Sequence, residues 1–162
     1  MRLSILTFDG MTALDALGGY EVLARVPGLE LEFVAREPGV VAADTRRLGL
    51  LAWRGFDEVR ATDIVYMPGG PGARVLERDP VFLEYLRELD RGSTWTVGVC
   101  NGVTVLAAAG LLAGRGATGN WYDRERIETH GARFVAERHH RDGKYLTGGG
   151  VSASLDTGFV LA

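Results

Sequence analysis

Cys100 is the only cysteine in the chain, and it stands inside Gly98-Val99-Cys100-Asn101-Gly102. Small residues two before and two after a nucleophile let its side chain project from a tight strand-to-helix turn without neighbours blocking the approach. A helix that begins just after the sulfur aims backbone N–H groups and a positive dipole end at it, which predicts a lowered thiol pKa and a resting thiolate that alkylates faster than a free thiol. Those N–H groups are also placed to hold negative charge developing on a substrate. Most free cysteines are instead small buried hydrophobes. The glycine pair and the strand–helix context are what set Cys100 apart.

Other chemistries lack their residues. The glycines of Pro68-Gly69-Gly70-Pro71-Gly72 are not followed by Gly-Lys-Ser/Thr, and no Gly-x-Gly-x-x-Gly follows the first apolar run, so phosphate and dinucleotide cradles are not expected. His130, His139, His140 and Cys100 have no spacing typical of a zinc site, and no metal is proposed. The adjacent histidines lie near a turn, where a solvated role is expected.

The elements that must position Cys100 follow from periodicity. Residues 2–8 read as a strand ended by Asp9-Gly10, and residues 13–26 as a helix stopped by Pro27-Gly28. Residues 29–35 alternate like an edge strand, and short strands are expected at 40–41 and 48–53. The run 63–67 is a strand feeding the Pro68–Gly72 loop, and Asp79-Pro80 opens a helix that Gly92 closes. Residues 94–99 form the strand before Cys100, and 103–112 the helix after it. A short helix at 121–130 and a strand at 132–137 come next, with the turn Arg141-Asp142-Gly143-Lys144 returning along 145–147. Gly148-Gly149-Gly150 precedes a final helix over 151–162.

This alternation predicts an α/β three-layer sandwich around a mostly parallel sheet. Such sheets bind ligands beyond the carboxyl ends of their strands, so the loops at Asp9-Gly10, Pro68–Gly72, Cys100 and Gly148–Gly150 are where chemistry is sought.

The 162 residues, 46% hydrophobic and 24% charged, suit one globular domain. A net charge of -3 with scattered Lys and Arg makes nucleic acid an unlikely partner class. No segment approaches a membrane span, and the first apolar run is too short for a secretory core. A lone cysteine fits a reducing compartment, and a cytoplasmic location is expected.

Gly98-Val99-Cys100-Asn101-Gly102 followed by Ala107-Ala108-Ala109-Gly110-Leu111-Leu112 resembles the nucleophile segment of the ThiJ/PfpI (class I glutamine amidotransferase-like) superfamily. Phe8-Asp9-Gly10-Met11-Thr12-Ala13-Leu14-Asp15, Glu21-Val22, Pro68-Gly69-Gly70, Ala117-Thr118-Gly119-Asn120-Trp121 and Gly148-Gly149-Gly150-Val151-Ser152-Ala153 resemble its isonitrile hydratase-like branch in order. The resemblance implies a flavodoxin-like sheet, a cofactor-free site for a small-molecule substrate, and a homodimer. Members of that branch continue for at least one further helix, so residues 1–162 read as a single domain that either lacks its last helix or ends short.

By the same resemblance Asp15 is the acid set against Cys100, sharing its proton; Thr12-Ala13-Leu14-Asp15 also has the form of a capping box, which would give Asp15 a role in starting a helix. Gly70 becomes a second oxyanion donor beside the Asn101 N–H, with Gly69 letting bare backbone approach the ligand, although a turn that needs positive φ explains both glycines equally. Asn120 and Trp121 line the substrate site, Trp121 and Tyr122 being equally readable as core aromatics. Peptidases of the superfamily place histidine directly after the nucleophile, and other relatives place one before the aromatic; here Asn101 and Asn120 occupy those positions. The branch implies hydration of isonitriles to N-substituted formamides. Glyoxalase or deglycase chemistry on α-oxoaldehydes, and a non-catalytic thiol-based stress sensor or ligand-sensing domain, are the alternatives.

Overall fold

A computed structural model describes residues 1–162. The elements run β1 (Arg2–Leu6), α1 (Ala13–Leu23), β2 (Glu30–Ala35), β3 (Gly39–Ala42), β4 (Gly49–Ala52), β5 (Arg54–Gly55), β6 (Ile64–Met67), α2 (Ala73–Leu76), α3 (Pro80–Gly92) and β7 (Trp95–Val99). After Cys100 come α4 (Gly102–Ala108), β8 (Gly116–Ala117), a 3-10 turn (Trp121–Asp123), α5 (Arg124–Thr129), β9 (Arg133–Phe134), β10 (His139–Asp142), β11 (Tyr145–Gly148) and α6 (Ala153–Leu161).

Seven strands form one sheet in the order β10-β11-β7-β6-β1-β2-β5. Every neighbouring pair is parallel except β10 with β11. The central strands β1, β6 and β7 are buried almost throughout, as strands covered on both faces must be. The edges carry Arg54 on one side and His139, His140, Arg141 and Asp142 on the other, short charged strands that discourage further pairing. Alternation along the strands divides the helices between the two faces. Tyr66 packs toward Gly19 of α1 and Thr157 of α6, whereas Gly98 lies under Leu106 of α4. This is the expected three-layer α/β architecture, and no helix is long and apolar enough to cross a membrane.

Two features fix the strands that carry the site. At the start of β7 and β11, buried Asp90 accepts hydrogen bonds from Thr96 Oγ1 (2.6 Å) and Tyr145 OH (3.1 Å) and pairs with Lys144 Nζ (3.1 Å). Removing one member would leave buried polar groups unpaired, so the network holds α3, β7 and β11 in one register. At the other end, β1 leads to β2 on one side while β6 leads to β7 on the other. That reversal opens a crevice between the carboxyl ends of β1 and β6.

The local boundaries differ from expectation where pairing is non-local. The strand that meets β11 across the Gly143-Lys144 turn is His139–Asp142, not residues 132–137; only Arg133–Phe134 is extended there, and it pairs with Gly116–Ala117 in a separate two-stranded ladder. Helix α4 stops at Ala108 because Gly110 turns into the left-handed region at φ +80°, and the single-turn α2 after the Pro68–Gly72 loop carries no periodic signal.

Candidate active site

Cys100 sits at the carboxyl end of β7 with φ +57°, a left-handed conformation that costs a residue with a Cβ about 1–2 kcal/mol. Three backbone hydrogen bonds hold it there. Its N–H donates to Gly148 O (2.9 Å), and its carbonyl accepts from Asn120 N (3.2 Å) and Val103 N (3.4 Å). The flanking glycines serve packing: a Cβ at Gly98 would lie 2.6 Å from Leu106 Cδ1, and one at Gly102 2.6 Å from Pro68 O. The sulfur is turned inward and the residue is only 5% exposed.

The four loops singled out by the topology converge around this thiol. Gly72 N donates to Gly10 O (3.0 Å) and Thr12 N to Gly69 O (2.9 Å), joining the first loop to the Pro68–Gly72 loop. Gly150 closes over the thiol, where a Cβ would stand 2.9 Å from Sγ. Asp15, fully buried on α1, accepts from Gly69 N through Oδ2 (3.1 Å), while Oδ1 has no hydrogen-bond partner; the Cys100 thiol is among the groups that act on this carboxyl. The capping box is not formed. Thr12 donates its hydroxyl to Asp44 Oδ2 (2.9 Å) instead of capping α1, which leaves the Asp15 carboxyl to the site.

Burial reverses the expected state of the sulfur. The thiol is pushed up to about 11, chiefly by desolvation and then by the Asp15 charge, against opposing hydrogen bonds from Asn120 and the Asn101 N–H. Asp15 is pushed up to about 7, again chiefly by burial, with the Gly69 bond and the thiol acting in the other direction. The helix-start donors are present, but α4 has only seven residues and its effect is outweighed by removing the sulfur from water. The two groups titrate as a pair that holds one proton between about pH 7 and 11.

Asn101 and the loop glycines are also rearranged relative to expectation. The Asn101 side chain clasps the Gly70 peptide from both sides, Oδ1 accepting from Gly70 N (2.6 Å) and Nδ2 donating to Gly70 O (3.0 Å). The Gly70 N–H is therefore engaged, and so is that of Gly69 on Asp15; neither stands free as an oxyanion donor. Gly70 meets the turn requirement instead, with φ +130° and no room for a Cβ beside Gly10 O. Asn120 points its Nδ2 at Cys100 Sγ (3.5 Å).

Trp121 and Tyr122 are not core residues. They stack at 3.7 Å between ring centroids and are 68% and 75% exposed. Trp121, Phe134, Ala136, Arg138 and Gly150 line a cleft of about 330 Å³ on the outer side of Gly150, the residue that packs against Cys100. At its rim Arg138 pairs with Asp156 (2.7 Å), and Glu137 lies 2.8 Å from His140 Nδ1. Gly150 belongs to the Gly148–Gly150 loop where the sequence places chemistry, whereas Phe134 and Ala136 carry no sequence signal for the site. A larger cleft of about 550 Å³ beside Arg36, Phe56 and Tyr85 lies away from the thiol. His130 and His139 are exposed and take no part in the site.

An elbow cysteine backed by a buried acid at the carboxyl end of a parallel sheet defines a class, and the chain matches the DJ-1/PfpI family over residues 1–161. It belongs to that family. Among its relatives, isonitrile hydratase from Pseudomonas putida is 34% identical over 162 residues, covering 100% of this chain and 71% of that protein. A ThiJ/PfpI family protein from Pseudomonas syringae superposes with a TM-score of 0.94 at 29% identity, covering 99% of this chain and 66% of that one, so the present chain spans about two thirds of it. Schizosaccharomyces pombe DJ-1 shares the fold, with a TM-score of 0.85 at 18% identity over 99% of this chain and 90% of that one.

The raised carboxyl gives a stability test. Between its ordinary value of 3.8 and about 7, folded Asp15 holds a proton that the unfolded chain has released. That contribution is complete below about pH 4 and is lost as pH rises through about 7. Asp15→Asn abolishes this titration, so in urea denaturation its stability relative to the wild type should climb between those limits and level off above them. A difference independent of pH would contradict the perturbed carboxyl.

Proposed function

We propose that the protein is a cofactor-free, cysteine-dependent hydratase that converts isonitriles to N-substituted formamides. The observation that carries this reading is the buried Cys100–Asp15 pair at the elbow, a nucleophile and a proton carrier that share one proton. The likeness to isonitrile hydratase supports the substrate class.

Attack begins from the neutral thiol with Asp15 ionised. The S–H bond breaks as sulfur bonds to the isonitrile carbon, and the proton passes through Asp15 to that same carbon, giving the thioimidate R–N=CH–S. Water then adds to the carbon, one proton going to nitrogen. The C–S bond breaks, the formamide R–NH–CHO departs, and the second water proton returns to the thiol by way of Asp15. Turnover should therefore rise with pH through about 7, as the carboxyl becomes able to accept the thiol proton. The cleft beside Gly150, with Trp121 and Phe134 in its wall, suits an apolar alkyl or aryl substituent on the isonitrile nitrogen. That preference favours isonitriles over small polar α-oxoaldehydes. The raised thiol counts against a peroxide sensor, which reacts as thiolate.

A panel of alkyl and aryl isonitriles and methylglyoxal tests this reading on the wild type and two variants. Formamide should accumulate only with isonitriles, disappear in Cys100→Ala, and form about 10²- to 10⁴-fold more slowly in Asp15→Asn. Turnover of methylglyoxal alone would replace the hydratase reading with glyoxalase chemistry, and isonitrile turnover surviving Cys100→Ala would overturn the nucleophile.

We further propose that the chain pairs as a homodimer, as its family resemblance implies and as two-fold pairing commonly does. The exposed apolar side chains of Leu155, Phe159 and Val160 on α6 support an association surface. Sedimentation at micromolar concentration should give twice the 17.5 kDa chain mass, and a monomer there rejects the proposal.

A further inference from the structure

We propose that the Asn120 carboxamide is a catalytic group in its own right, donating from Nδ2 to Cys100 Sγ to stabilise the negative charge that gathers on sulfur in attack and again in departure. This role rests on the hydratase reading for its two steps. The placement itself stands on geometry.

Asn120 caps the 3-10 turn Trp121–Asp123, its Oδ1 accepting from Tyr122 N at 3.1 Å. An amide whose oxygen is fixed on a backbone N–H can present only its NH₂ to its other neighbour. That neighbour is Sγ, 3.5 Å from Nδ2. The backbone of the same residue is tied to the elbow as well, Asn120 N donating to Cys100 O at 3.2 Å, so the donor and the sulfur are positioned by one another. The amide is thus preorganised and needs no rearrangement as charge develops, the condition under which a donor counts most.

The site also has few alternatives. Asn101 Oδ1 occupies the Gly70 N–H, and Asp15 Oδ2 occupies the Gly69 N–H. Asp15 is an acceptor when ionised and adds negative charge rather than removing it. The donors left to the sulfur are the Asn101 N–H and the Asn120 amide. A sulfur this buried forms its anion only at high cost, so each remaining donor carries more of the stabilisation. In attack the S–H proton moves through Asp15 to the isonitrile carbon while the S–C bond forms. In departure the C–S bond breaks after water has added, and sulfur takes the bonding pair before the last water proton reaches it. Asn120 exchanges no proton in either step, and an uncharged amide adds no ionisation of its own to the pH profile.

Asn120→Asp and Asn120→Ala test this, the first being isosteric and keeping an oxygen to cap Tyr122 N. Alkylation of Cys100 by iodoacetamide at pH 8 needs no substrate and reads the thiolate fraction directly. Asn120→Asp, which puts a carboxylate where the donor stood, should slow it by about tenfold, as a one-unit rise in thiol pKa would. In isonitrile hydration Asn120→Ala should lower kcat by about 10²-fold with KM little changed. Alkylation by Asn120→Asp at the wild-type rate, or an unchanged kcat in Asn120→Ala, overturns the role and leaves Asn120 only its cap. Should the wild type hydrate no isonitrile, the hydratase reading falls by itself, and the alkylation comparison still decides whether Asn120 serves the sulfur.

Discussion

The site depends on a thiol and a carboxyl being removed from water against each other. A charge buried at such a place is costly, and two negative charges side by side cost still more. Cys100 and Asp15 therefore rest with a proton between them over the neutral range, neither as a free thiolate nor as a pair of anions. This constraint explains why the elbow is not a simple thiolate site. It also makes Asp15 the group that must take the thiol proton for attack to occur.

The surrounding structure maintains that burial. Helices α1 and α6 pack closely because Gly18 has no side chain to meet Ser154, whose hydroxyl donates to Leu14 O (2.9 Å) on the helix that carries Asp15. Gly150 covers the sulfur from the β11–α6 loop, which Arg138 ties down through Asp156 and Ser152. On the opposite side Asn101 locks the Gly70 peptide, and Gly69 then points its N–H at Asp15. The Asp90 network at the far end of β7 and β11 keeps the two strands in register, so that the Gly148 carbonyl meets the Cys100 N–H. The strain of Cys100 at φ +57° is held by these contacts rather than by its own preference.

Much of this frame was legible in the sequence because its signals are local. The apolar runs around 63–67 and 94–99 with their trailing glycines announced parallel strands and an elbow, and the loops after β1, β6, β7 and β11 do meet at one end of the sheet. What depends on distant partners was not legible. The capping box failed because Asp44, far along the chain, takes the Thr12 hydroxyl. The Gly70 donor was lost to an Asn101 side chain whose direction no spacing reveals. The direction of the thiol shift was misread because a helix start is visible in sequence whereas the burial that outweighs it is not. The strand pairing near 132–142 was misplaced for the same reason, since ladder partners are chosen by the sheet and not by the segment.

Infrared difference spectroscopy of the wild type across pH, with Cys100→Ala and Asp15→Asn to assign the S–H and protonated carboxyl bands, observes the shared proton itself. The Asp15 carboxyl band should vanish as pH rises through about 7, while the Cys100 S–H band persists until the pH approaches about 11. A carboxyl band that survives above neutrality while the S–H band is already absent would place the proton on Asp15 and a thiolate on Cys100, and would contradict the account.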